Sequence, residues 1–299
     1  MGTRAQPRPT PHSSGRPARP HWKVRVTRLA AALLVLYGLW CLVLYVFQDQ
    51  MIFIGWQARR DGDSMPRPPD AESWWLEIAP GQRVEAWFIP GAGRTGERPG
   101  PLVVFSHGNG ELIDDWPLYL APYTRAGASL LLPEFRGYAR SGGRPGQAAI
   151  TADFLALLER ALERPEVDPR RVILHGRSIG GAALAQLATR RPPAAMILES
   201  SPFSLASLTW RYGVPPAFLR HPFRTDRVLA AYRGPLLLMH GTRDALIPAE
   251  HSRRLARLAP QARLVTFDAG HNDMPVHTDA YWSGVVGFLK EARLLADSD

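Results

Sequence analysis

The segment that most constrains this chain is Gly176-Arg177-Ser178-Ile179-Gly180, set between the apolar run Val172-Ile173-Leu174-His175 and the small-residue stretch Gly181-Ala182-Ala183-Leu184-Ala185. The aliphatic and β-branched residues on one side suit a strand, and the alanines on the other suit a helix. So few residues can join the two only through a sharp turn with Ser178 at its apex. The glycines stand where larger side chains would collide as the backbone reverses. Such a turn holds the serine hydroxyl on a strained corner above the carboxyl end of a sheet. It also sits at the start of a helix, whose free N–H groups favour a developing negative charge. The plainer alternative is a helix cap at Ser178 with glycines that only pack.

A serine nucleophile needs a base and an acid that orients it, and in a sheet of this kind both follow it in the chain. Pro235-Leu236-Leu237-Leu238-Met239-His240-Gly241-Thr242-Arg243-Asp244 reads as a buried strand and then a polar loop carrying Asp244. Arg263-Leu264-Val265-Thr266-Phe267-Asp268-Ala269-Gly270-His271 reads as the last strand and then His271. Ser178, Asp244 and His271 thus each lie one loop beyond a strand's carboxyl end, where open α/β sheets build their sites. Glu199, which ends the run Ala195-Met196-Ile197-Leu198, is the rival acid. Position prefers Asp244 and leaves Glu199 to hold a loop near the turn. Among other histidines, His107 and His175 read as packed supports and His240 as structural. His251 and His277 fall on expected exposed helical segments, and His12 and His21 lie in the N-terminal tail.

These strings resemble the α/β-hydrolase family, and within it the membrane-tethered Bem46-like branch of serine hydrolases. The matches are Ser106-His107-Gly108-Asn109-Gly110, Phe135-Arg136-Gly137-Tyr138-Ala139-Arg140-Ser141, the Ser178 segment, Glu199-Ser200-Ser201-Pro202-Phe203, Gly241-Thr242-Arg243-Asp244 and Gly270-His271-Asn272. They run in family order from about residue 72 to the C-terminus. The resemblance implies a Ser178–His271–Asp244 triad. It departs at Ala139, where the branch usually has glycine, and the departure touches a loop and leaves the triad intact.

Pro101-Leu102-Val103-Val104-Phe105-Ser106 reads as a strand, and His107-Gly108-Asn109-Gly110 as the loop beneath the turn. Backbone N–H groups of Asn109 and Ile179 would then point at the oxygen of a tetrahedral intermediate. An ordinary tight turn at residues 107–110 is the alternative.

The N-terminus is of another kind. Residues 1–28 carry seven Lys/Arg and no acid, which suits a disordered basic tail. Residues 29–47 hold no charge, and as a helix would cover roughly 29 Å, about the hydrocarbon thickness of a bilayer. A cleaved signal peptide fits less well, because the basic region is long and no small-x-small site follows directly. The expectation is a single transmembrane anchor with a cytoplasmic N-terminus and the remaining chain on the other side. In a bacterium that side is the periplasmic face of the inner membrane. Of the formal +9, the tail accounts for seven charges and leaves 29 Lys/Arg against 27 Asp/Glu, so net charge gives no case for nucleic-acid binding.

The remainder divides into a juxtamembrane segment and linker, 48–71, and a domain over 72–299. The apolar stretch Gln50-Met51-Ile52-Phe53-Ile54-Gly55-Trp56 is expected at the membrane interface or packed on the domain. Strands are expected near 74–78, 83–89, 102–106, 129–133, 171–175, 195–199, 235–239 and 263–267. Helices are expected near 113–126, 149–163, 179–190, 248–258 and 277–294. This alternation specifies an α/β fold, a mostly parallel sheet with an antiparallel start and helices on both faces. A short cap is expected at about 203–232, whose aromatic residues suit either an acyl-binding wall or simple packing. The lone Cys41 excludes an internal disulfide, and the absence of zinc-spaced Cys/His, phosphate-binding or dinucleotide motifs leads us to expect no metal and no cofactor.

The expected activity is hydrolysis of a carboxylic ester or thioester, with a small-molecule or lipid-like acyl substrate, through an acyl-enzyme on Ser178. An amidase or peptidase of the same fold, and a tethered binding module without turnover, are the alternatives. Nothing in the sequence names a protein partner.

Overall fold

The computed structural model describes residues 21–55 and 67–296. Helix α1, His21–Ile52, is 32 residues long and apolar enough to cross a bilayer, covering about 48 Å at 1.5 Å per residue. It takes in residues 21–28, which composition had assigned to the tail. Residues 1–20 of that tail, Trp56 and the linker residues 57–66 lie outside the described residues. The chain divides after Val46 into two units, and the body that follows is described by itself.

That body is one eight-stranded sheet. Its strands are β1 (Glu72–Ala79), β2 (Gln82–Ile89), β3 (Gly100–Ser106), β4 (Ser129–Pro133), β5 (Val167–Arg177), β6 (Ala195–Glu199), β7 (Leu236–Gly241) and β8 (Ala262–Phe267), in spatial order 1-2-4-3-5-6-7-8. β2 pairs antiparallel with β1 and β4, and every other neighbour pair is parallel. All eight expected strands are present.

Central strands buried on both faces must be apolar throughout, and here alternate residues serve two cores. Leu102, Val104, Val172, Leu174, Met196, Leu198, Leu236 and Leu238 pack on one face, against α3 (Gln147–Leu162), α4 (Ile179–Ala188), α5 (Thr225–Ala231) and α6 (Glu250–Leu258). Val103, Phe105, Ile173, Ile197, Leu237 and Met239 pack on the other, against α2 (Pro117–Arg125) and α7 (Asp279–Glu291).

The expected helix at 113–126 is instead a 3-10 turn, Ile113–Asp115, followed by α2, because Pro117 has no N–H to continue a helix from Ile113 and takes the first helical position. The C-terminal helix starts late, at Asp279, since Thr278 caps it by accepting from the Tyr281 N–H. His277 is therefore in a turn and not on a helix. The cap region holds three 3-10 turns, Leu205–Ser207, Thr209–Tyr212 and Pro216–Phe218, and then α5. Gly213 at φ 66° and the Pro215-Pro216 pair keep those turns short.

Candidate active site

β5 feeds α4 through Ser178, whose φ of 54° and ψ of −124° are those of a strained corner. A non-glycine residue held there costs of order 1–3 kcal/mol, which the surrounding packing must offset. The flanking glycines supply room, while the serine takes the positive φ itself. A Cβ on Gly176 would come within 2.7 Å of Gly180 and Gly181 backbone atoms. One on Gly180 would run into the carbonyl oxygens of Ser106 and His107. Backbone cannot move aside as a flexible side chain can. Gly180→Ala is therefore expected to destabilise the body by at least the ~1–3 kcal/mol typical of overpacking, read as a lower denaturant midpoint in detergent.

The structure brings Ser178, His271 and Asp244 together. His271 Nε2 lies 3.0 Å from Ser178 Oγ, and His271 Nδ1 lies 2.7 Å from Asp244 Oδ2. A carboxylate only accepts, so Nδ1 carries the proton and Nε2 is free to accept from the serine hydroxyl. Asp244 is itself held from the other side. Its Oδ1 accepts the N–H groups of Leu246 and Ile247 at 2.9 and 2.7 Å. Burial pulls its pKa up, but hydrogen bonds from His240, His271 and the Ile247 N–H outweigh that and hold the carboxyl well below the usual carboxylate range. Fully buried His240 sits between Asp244 and the Ile247 carbonyl, with its Nδ1 2.7 Å from Ser252 Oγ.

Glu199, the rival acid, points elsewhere. Its Oε1 accepts from Arg177 Nε at 3.0 Å and its Oε2 from the Tyr281 hydroxyl at 2.6 Å. Arg177 also pairs with Glu111 and donates to the His271 carbonyl at 2.6 Å, so the arginine links the turn to the loop of His271. Beyond Tyr281 lies His175, 2.8 Å from the Tyr123 hydroxyl and pushed down to about 3 by burial. That ring is neutral and structural. Sequence reasoning missed the Arg177–Glu199–Tyr281 network. The available signal was the arginine inside the Gly-x-Ser-x-Gly string, which cannot be buried without a carboxylate.

Asn109 and Ile179 are carried on adjoining segments, since Gly180 abuts the carbonyls of Ser106 and His107. Ile179 opens α4, where a helix leaves its first N–H groups without an intrahelical acceptor. Below the Asn109 loop, buried His107 places Nδ1 2.8 Å from the Gly108 carbonyl and Nε2 2.7 Å from Glu134. Burial lowers the His107 pKa, but the Glu134 charge and hydrogen bond overcome it and the net shift is upward. The ring nitrogens face two oxygen acceptors, the Gly108 carbonyl and Glu134, and these contacts support the loop. The Asn109 side chain is fixed as well. It accepts from the Tyr138 hydroxyl at 2.6 Å and the Ile54 N–H at 3.3 Å, and donates to the Ile52 carbonyl at 2.7 Å. Of the two settings expected for residues 50–56, the described part packs on the body: Phe53 is buried edge-on against His221 and Phe223. Ala139, beside Tyr138, has φ 44°, so the residue replacing the branch's glycine keeps a glycine-like conformation.

A cleft of about 400 Å³ opens beside these residues, lined by Asn109, Glu111, Trp116, Arg177, Asn272 and Met274 among others. No cap aromatic lines it. Phe223 is packed, while Trp210, Tyr212 and Phe218 are exposed. His251, expected to be exposed, is half-buried and accepts from the Phe203 N–H at 3.0 Å.

The model of the alpha/beta hydrolase family matches residues 103–233. The protein YfhR of Escherichia coli K12 is 30% identical over 238 residues, covering 76% of this chain and 83% of YfhR. The chain belongs to the α/β-hydrolase family. Another relative is the alpha/beta hydrolase domain-containing protein WAV2 of Arabidopsis thaliana, 28% identical over 71% of this chain and 74% of its own length. Two solved structures share the fold. The thermophilic esterase Est2 of Thermogutta terrifontis, with propionate bound, superposes with a TM-score of 0.63 at 20% identity, covering 78% of this hydrolase-family chain and 98% of Est2. Est1E of Butyrivibrio proteoclasticus superposes with a TM-score of 0.60 at 17% identity, covering 74% and 98%.

Proposed function

We propose that this chain is a membrane-anchored serine hydrolase that cleaves a carboxylic ester or thioester of a small or lipid-like acyl group. The observation that carries the reading is the chain of contacts from Ser178 Oγ to His271 Nε2 at 3.0 Å and from His271 Nδ1 to Asp244 at 2.7 Å, on a strained turn. His271 takes the hydroxyl proton as Ser178 Oγ attacks the acyl carbon. The carbonyl oxygen, now negative, is held by the Asn109 and Ile179 amides, each worth about 2.7–4 kcal/mol in such sites. As the intermediate collapses, the bond to the alcohol or thiol breaks, and that group leaves with the proton from Nε2. Water then gives its proton to His271 and attacks the acyl-enzyme, and Ser178 recovers its hydrogen as the acid departs. Asp244 keeps the imidazole in the required tautomer throughout.

Esters are favoured over amides because the fold neighbours Est2 and Est1E include an esterase bound to propionate and a structure bound to ferulic acid. The anchor reading is supported by the length and apolar content of α1 and by the seven basic residues ahead of residue 29. The positive-inside bias puts the N-terminus in the cytoplasm and the body across the membrane.

A fluorophosphonate probe is the direct test, and Est2 itself has been captured phosphoramylated by tabun. The full chain is expected to label and to hydrolyse p-nitrophenyl esters. The labelled protein should remain in the carbonate-washed membrane pellet, and protease added on the non-cytoplasmic side should remove the labelled body. Absence of labelling alongside binding of ligands without turnover would replace the enzyme by a binding module. A soluble labelled product would remove the anchor.

A further inference from the structure

The cap has a composition unlike the rest of the body. Residues 203–232 contain one acid, Asp226, against four arginines, Arg211, Arg220, Arg224 and Arg227, and Asp226 is paired with Arg224. Within them Trp210 and Phe218 stand 64% and 46% exposed, with Tyr212 and the neighbouring Leu246 also exposed. These are large apolar groups gathered on one region, and Arg211 donates to the Leu246 carbonyl at 2.7 Å, which holds that loop beside the Trp210 turn. Exposed large apolar groups concentrated in one segment are the kind of surface that marks a binding face.

The chain itself says what lies next to it. The uncharged run ends at Phe47, and the next residue, Gln48, is held by the cap: its side chain donates to the Phe218 carbonyl at 3.1 Å and accepts from the Arg220 N–H at 2.7 Å. Asp49, the first charged residue after the run, pairs with Arg220 at 3.2 Å and with His221 at 3.1 Å. If α1 spans a bilayer, Gln48 is at its edge, and so are the groups hydrogen-bonded to Gln48. The stretch around Phe218 therefore has no room to lie far from lipid.

We propose that the outer face of the cap, formed by Trp210, Tyr212, Phe218 and Leu246 with Arg211, rests on the surface of the bilayer that holds α1. The inference depends on the anchor reading above and adds a second, peripheral contact to it. Its chemistry is that of an interfacial segment: Trp and Tyr settle at headgroup depth, apolar Phe and Leu reach the acyl boundary, and arginine meets anionic lipid. Asp49 is already paired with Arg220 and His221, and Asp244, which accepts the Leu246 N–H, is buried. The docking would hold the Asn109 loop, which is bonded to Ile52 and Ile54, close to the lipid. A lipid-like ester could then reach Ser178 without crossing bulk water.

The test uses the full chain in a Cys41→Ser background, reconstituted in phosphatidylcholine/phosphatidylglycerol vesicles. Trp210→Cys and Phe218→Cys are each labelled with an environment-sensitive fluorophore. Arg191→Cys is the control, placed after α4 near the amino ends of the strands. Vesicle flotation is measured on the same samples. Docking requires that the chain float, and that the probes at 210 and 218 shift to the blue and be quenched by nitroxide on lipid acyl chains while the probe at 191 does neither. Flotation with water-like emission at both cap positions would overturn the docking and leave the anchor standing. Failure to float would overturn the anchor, and the docking with it. A blue shift without lipid quenching, lost when each nanodisc holds one copy, would assign the face to a second copy of the chain and overturn the lipid contact.

Discussion

Ser178→Ala should abolish ester hydrolysis and probe labelling while leaving the body folded. The hydroxyl's partner is His271, and the backbone bond that secures the turn, Ser178 N–H to the Glu199 carbonyl at 2.8 Å, does not involve the side chain. Alanine meets much the same backbone strain as serine at φ 54°. Stability should therefore move little, while kcat falls by up to the order of 10⁶-fold seen when a serine nucleophile is deleted from such a unit. Comparison of unfolding midpoint and labelling in one preparation separates the two effects. A second serine gives the experiment its edge. Ser200 also has a positive φ, 46°, and also follows a strand end, but it is fully buried and its hydroxyl has no hydrogen-bond partner among the described residues. Full labelling of Ser178→Ala would move the chemistry to another serine, with Ser200 the first to examine.

The strands and the positions of Ser178, Asp244 and His271 just past strand ends were legible because each depends on a local pattern: an apolar run, then a turn residue, then a polar group. What was not legible depends on residues far apart in sequence. Arg177 meets Glu199 from the neighbouring strand and Glu111 from the loop after β3, and neither pairing has a spacing that a sequence shows. The Asn109 side chain is set by Ile52 and Ile54, more than fifty positions earlier. His251 was misplaced because α6 is strongly polar on one side, and only the path of the cap reveals that the Phe203 N–H donates to this histidine. The cap resisted reading for a different reason. Its aromatic residues carry no periodicity, and Gly213, Pro215 and Pro216 break it into turns too short to leave one.

Asp244→Asn and Glu199→Gln should differ sharply, and the geometry says in which direction. An asparagine at 244 can keep one oxygen on the Leu246 and Ile247 N–H groups, which leaves its NH₂ facing His271 Nδ1. Two donors cannot share that contact, so the imidazole must shift its proton to Nε2. It then presents an N–H to the Ser178 hydroxyl and can no longer accept the proton. A loss of kcat approaching ~10⁴-fold follows, with KM much less affected. Some stability goes too. Because the folded pKa of Asp244 is depressed, its charge stabilises the fold above the ordinary carboxylate range and stops doing so only as pH falls through the depressed value. The asparagine variant lacks that contribution at neutral pH, so rates must be compared well below its melting temperature. Glu199→Gln acts on another set of contacts. A glutamine can still accept from Arg177, the Tyr281 hydroxyl can turn to accept from the new amide, and Arg177 retains Glu111 and the His271 carbonyl. Its main cost is the weakened pairing of a buried arginine, seen as a lower melting temperature, with a loss of kcat far smaller than that of Asp244→Asn. If Glu199→Gln proves the slower enzyme at equal folded fraction, the orienting acid is Glu199, and the His271–Asp244 contact serves only to hold the loop.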